Sequence, residues 1–123
     1  MRVLLDEADF NDDDRLTYRG ELFTGVAAEV DSEGVLLAES TYRNGVQDGP
    51  ERTFRDDGSV RTEDTYRFGI LVESREWHRN GRLAYELRND EFGRRLSEQR
   101  WRETVLPRVE MPVGVSGAKG SRP

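Results

Sequence analysis

The chain has 123 residues, enough for one domain, and its 34% hydrophobic and 36% charged content leaves room only for a thin core. A net charge of −6 repels phosphate backbones and argues against general nucleic-acid binding. No apolar run approaches the ~18 residues of a membrane span, and the Met1-Arg-Val-Leu-Leu5 start, broken at once by Asp6 and Glu7, does not read as a signal peptide.

Cysteine is absent, which excludes a disulfide framework and a thiolate metal site and agrees with a cytoplasmic protein. Charge is unevenly placed. Residues 1–14 carry six acids and one arginine, whereas residues 94–108 carry five arginines and two glutamates. The acidic end would attract a basic protein partner, and the opposition of the two ends could support weak self-association.

In chain order, residues 3–10 align without gaps to residues 35–42, which predicts a degenerate half-unit ending in an acidic loop at residues 11–14. A repeat array follows over residues 15–106, with units at about 18–41, 42–65, 66–89 and 90–106. Its clearest mark is Tyr42-Arg-Asn-Gly45, which recurs as Tyr66-Arg-Phe-Gly69 and then as Asp90-Glu-Phe-Gly93. A period of this size means units that bury their apolar side only against neighbours.

Each unit reads as a hairpin. Asp31-Ser-Glu-Gly34, Asp56-Asp-Gly58 and Arg79-Asn-Gly81 are tight turns, because glycine accepts a positive φ without a Cβ clash. The strands on either side predict an all-β fold, an antiparallel meander of consecutive hairpins forming one elongated, twisted sheet. Strict alternation places Leu36, Val60 and Leu83 with Tyr42 and Tyr66 on an apolar face, matched by Val30, Phe54, Trp77 and Trp101. The other face would carry Glu39, Arg61, Glu63 and Glu86. Residues 95–105 read as a last strand pair or a strand plus cap, and residues 107–123 as a flexible tail.

The pattern Gly45-Val-Gln-Asp-Gly49 … Phe54-Arg-Asp-Asp-Gly58-Ser-Val-Arg-Thr-Glu63-Asp-Thr-Tyr66 resembles the bacterial MORN-variant repeat. The opening Leu16-Thr-Tyr-Arg-Gly20-Glu-Leu-Phe-Thr-Gly25 is similar to the entry segment of MORN-repeat antitoxin and immunity proteins. Glu73 and Ser97 replace the second glycine in later units, so the units decay toward the C-terminus as a capping end would. The resemblance implies a hairpin-repeat fold and a toxin-neutralising role.

Chemistry is sparse. The single histidine, His78, has no histidine or cysteine partner and reads as an exposed turn residue, and Asp12 to Asp14 lack the alternating pattern of a calcium loop. No cofactor motif is present. Glu39, Glu63 and Glu86 recur in register, either as one half of cross-strand pairs with arginines such as Arg52, Arg61 or Arg75, or as an acidic ladder for a basic partner. Tyr42, Tyr66, Trp77 and Trp101 serve either to stack hairpins or as partner contacts. The expected function is a non-catalytic module that binds a protein, in its sharpest form a basic toxin domain. The alternatives are an enzyme or accessory subunit with a hidden carboxylate pair, and a scaffold.

Overall fold

A computed structural model describes residues 1–103. The predicted tail at residues 107–123 and the end of the last predicted strand pair lie outside the described residues. Eleven strands build the fold: β1 (Arg2–Leu4), β2 (Asp9–Phe10), β3 (Leu16–Tyr18), β4 (Glu21–Leu22), β5 (Gly25–Val30), β6 (Leu36–Arg43), β7 (Val46–Phe54), β8 (Val60–Arg67), β9 (Ile70–Trp77), β10 (Leu83–Asn89) and β11 (Arg95–Arg100). Among the described residues the one helical piece is a 3-10 turn at Leu5–Glu7.

The main sheet has eight strands in the order β1-β5-β6-β7-β8-β9-β10-β11, antiparallel from β5 onward, and it is open rather than closed into a barrel. The expected meander of hairpins is therefore present. It begins at Gly25, not at residue 15. Residues 16–22 instead belong to a second, three-stranded sheet, β2-β3-β4.

The N-terminal segment departs from its expected form. Residues 3–10 do not make a half-hairpin. β1 pairs parallel with β5, Val3 opposite Ala27, and the 3-10 turn then redirects the chain into the small sheet. A parallel partner needs a crossover rather than a tight turn, and residues 5–24 supply it.

The turns follow the glycine spacing. Gly34, Gly58 and Gly81 all have φ between 84° and 88°, where a side chain would be strained. Polar residues close the same turns: Asp31 Oδ1 accepts the amides of Glu33 and Val35 at 2.8 and 3.0 Å, and Asn80 Oδ1 accepts that of Arg82 at 2.9 Å.

At the opposite end of the sheet, the second and third units are each tied to the one before, and the third also closes on itself. Gly45 N–H donates to Phe23 O at 2.8 Å and Gly69 N–H to Gln47 O at 2.7 Å, while Asn89 Nδ2 donates to Leu71 O at 3.0 Å. The three acceptors stand 24 residues apart.

The core is small and lies wholly at the N-terminal end. Val3, Leu16, Phe23 and Ala27 are buried, with Tyr18 and Tyr42 packed against them. Phe23 meets Tyr18 and Tyr42 edge-on, each with ring centroids 6.4 Å apart. The small sheet thus covers one face of β1, β5 and β6. From residue 46 to residue 103 no residue is buried. Among the described residues that part is a single layer with nothing packed on either face.

The two faces of the candidate binding sheet

Return strands β6, β8 and β10 each carry one extra residue near their start. Val30 pairs with Leu36 but Glu29 with Ala38, Phe54 pairs with Val60 but Thr53 with Thr62, and Trp77 pairs with Leu83 but Glu76 with Tyr85. The supernumerary residues are Leu37, Arg61 and Ala84. Such a bulge resets the alternation by one residue. The expected face assignment is corrected accordingly: Leu36, Val60 and Leu83 share a face with Glu39, Glu63 and Glu86, and Tyr42 and Tyr66 lie on the other. Arg61 is the bulge residue itself and is exposed.

On the glutamate face the register is a ladder of alternating sign. Glu39 stands opposite Arg52, Arg52 opposite Glu63, Glu63 opposite Arg75, and Arg75 opposite Glu86. Arg52 Nε donates to Glu63 Oε2 at 2.6 Å. Arg75 donates to Glu86 Oε2 at 2.9 Å and to Glu73 Oε2 at 2.8 Å. Glu39 is taken by Arg2 from the parallel edge strand. The recurring glutamates are thus internally neutralised. Cross-strand pairs of this kind contribute roughly 0.2–1 kcal/mol each. Val30 with Leu36, Phe54 with Val60, and Trp77 with Leu83 form half-buried apolar pairs at one end of this face.

Trp101 follows β11 and donates its amide to Ala84 O at 2.8 Å. Its carbonyl accepts His78 Nε2 at 2.8 Å, so His78 carries its proton on Nε2. His78 is half-buried and ties the β9–β10 turn to the chain beyond β11, in place of the exposed residue expected.

The tyrosine face has the opposite electrostatics. Its acids from β5 to β10 are Glu29, Glu51, Asp64 and Glu76, and neither an arginine nor a lysine occupies a position on that face between those strands. Glu51 and Asp64 are directly opposite one another. Ser40 Oγ donates to Glu51 Oε2 at 2.9 Å, and Ser74 Oγ donates to Asp64 Oδ1 at 2.6 Å. The result is a row Ser40–Glu51–Asp64–Ser74 across β6, β7, β8 and β9.

Tyr42 and Tyr66 border this row. Burial and the Glu51 charge both raise the Tyr42 phenol above its ordinary value. Burial first, then Glu51 and Asp64, do the same for Tyr66. Sequence reasoning named the two tyrosines but missed the carboxylate row. Glu51 and Asp64 belong to adjacent strands of a single hairpin, so they do not recur with the repeat period that drew attention to Glu39, Glu63 and Glu86.

A shallow hollow of about 310 Å3 on the glutamate face is lined by Thr65, Glu73, Arg88, Asp90 and their neighbours. Two of its carboxylates are engaged, Glu73 by Arg75 and Asp90 by the amides of Phe92 and Arg94 at 2.9 Å each, whereas Glu91 is exposed. Among the described residues no helix is long and apolar enough to cross a membrane.

No family model and no curated protein matches the chain. Among solved structures it is similar to the crystal structure of accessory secretory protein 1, 2 and 3 in Streptococcus pneumoniae, with 18% identity and a TM-score of 0.42 over 70% of this chain. The chain spans 18% of the length of that structure's chain.

Proposed function

We propose that this chain is a non-catalytic module that neutralises another protein by stoichiometric binding, in the manner of the MORN-repeat antitoxin and immunity proteins its sequence resembles. One observation carries this reading: from residue 46 to residue 103 the chain is a single-layer sheet with no buried residue. Such a shape maximises contact area for its mass while enclosing little. Hydrophobic burial within the chain does not account for retaining so long an uncovered sheet, and a partner laid against either face would add that burial.

The geometry suits occlusion. Hairpin ladders hold the backbone in one conformation, so binding requires little ordering of the chain, and preorganisation of this kind raises affinity. Side chains at the two-residue period present regular rows to an incoming surface.

The test is reconstitution with the protein encoded beside it. Co-expression should protect cells from that protein's toxicity, and the purified pair should elute as a 1:1 complex in light scattering. Two separate elution peaks together with unprotected cells would reject the reading.

A further inference from the structure

On the reading of the chain as a protein-binding module, we infer that the tyrosine face, centred on Glu51 and Asp64, is the docking surface, and that its occupant is a basic segment presenting arginine or lysine side chains.

Three observations converge on this face. The first is the contrast between the two sides of one sheet. The glutamate face alternates Glu39, Arg52, Glu63, Arg75 and Glu86 and satisfies its own charges. The tyrosine face carries Glu29, Glu51, Asp64 and Glu76, with no base at a strand position of β5 to β10, while Arg55 just past β7 is engaged by Trp77 O. Only the second leaves charge for a partner to complement.

The second is the direct opposition of Glu51 and Asp64. Like charges facing each other across a strand pair destabilise a sheet, and this chain places arginine at the equivalent positions on its other face. Ser40 and Ser74 hold one oxygen of each carboxylate from the outer strands, and among the described residues the other oxygen of each has no hydrogen-bond donor. A guanidinium spans two such acceptors with its forked N–H groups.

The third is aromatic. Tyr42 and Tyr66 border the carboxylate row, close enough to Glu51 for its charge to act on both phenols. Tyr42 packs against Phe23 under the small sheet, so Tyr66 is the ring beside the carboxylates that favours a cationic side chain by stacking as well as by charge. The small sheet covers the β5–β6 end of this face, so the segment would lie over β7, β8 and β9.

The test uses the full chain, labelled with 15N, and a hexa-arginine peptide as probe, with a hexaglutamate peptide as control. Amide shifts should concentrate at Ser40, Glu51, Asp64 and Ser74. The Glu51→Gln/Asp64→Asn variant should weaken peptide binding by about tenfold, and Glu39→Gln/Glu63→Gln by less than about twofold. Both variants keep the sheet, because neither removes a buried group. Shifts centred on residues 1–14 or on the ladder, or equal losses in the two variants, would overturn the assignment.

The same variants applied to the partner captured above separate the two claims. A partner indifferent to Glu51 and Asp64 overturns the face and leaves the binding function standing. Peptide binding confined to this face, with no protective effect in cells, rejects neutralisation and keeps the face.

Discussion

Glu51 and Asp64 face each other across β7 and β8, each held on its outer side by a serine hydroxyl from the next strand. Their repulsion is a stability the protein forgoes. Asp64→Asn should therefore raise unfolding free energy by about 0.5 kcal/mol. Urea denaturation at low salt measures it, and a lowered midpoint would show that the pair does not repel.

Arg75 is the hub of the opposite face, donating to Glu73 and Glu86 and standing against Glu63. Its side chain is 28% exposed, so it is screened less than Arg52 at 42%. Arg75→Met should cost about 1 kcal/mol and Arg52→Met about 0.5. The gap between them should shrink at 1 M salt, where the Debye length falls to about 3 Å. Equal effects for the two variants would contradict the hub assignment.

Leu16, the first residue of β3 in the small sheet, is fully buried, and its amide donates to Gly45 O at 2.9 Å. Leu16→Ala should cost about 3 kcal/mol. Hydrogen exchange should report the loss first at β1, β3 and β5, with β9 and β10 protected longer. Uniform loss of protection would mean that the array does not outlast its N-terminal cover.

Phe68 occupies a left-handed conformation, φ 50°, at a turn where the preceding unit has Asn44 at φ 49°. It is 77% exposed, so no packing offsets the strain of a bulky residue there. Phe68→Asn should stabilise the fold by about 0.5–1 kcal/mol, read from thermal melts. A lower melting temperature would place Phe68 in a contact that its exposure does not reveal.

The raised Tyr42 phenol fixes an alkaline response. A phenol whose folded pKa exceeds its unfolded value binds its proton more tightly when folded. Stability is then intact below about pH 10, the ordinary tyrosine value, and falls as pH climbs through it toward the folded value. Tyr42→Phe should flatten the decline between about pH 9 and 11 in denaturant titrations. An identical slope in wild type and variant would refute the coupling to Glu51 and burial.

The hairpins were legible in the sequence because turn chemistry is local: Gly34, Gly58 and Gly81 announce their own φ. The faces were not. One extra residue at Leu37, Arg61 and Ala84 transfers Leu36, Val60 and Leu83 to the glutamate side, and nothing in a strict two-residue alternation signals a bulge. The parallel pairing of Val3 with Ala27 was hidden for a related reason. Residues 3–10 resemble residues 35–42 in sequence, but the 3-10 turn at Leu5–Glu7 sends them to different partners.

The carbonyls of Phe23 and Gln47 each receive a donor from the following unit, and that of Leu71 from Asn89 at the end of its own. The second module therefore carries both the socket for its successor and the plug for its predecessor. A copy inserted between two others meets the same fittings above and below, extending the molecule by two strands, ~9.6 Å. Reach along the strand-stacking axis is then set by how many copies the sheet holds, and can lengthen or shorten two strands at a time by duplication or loss.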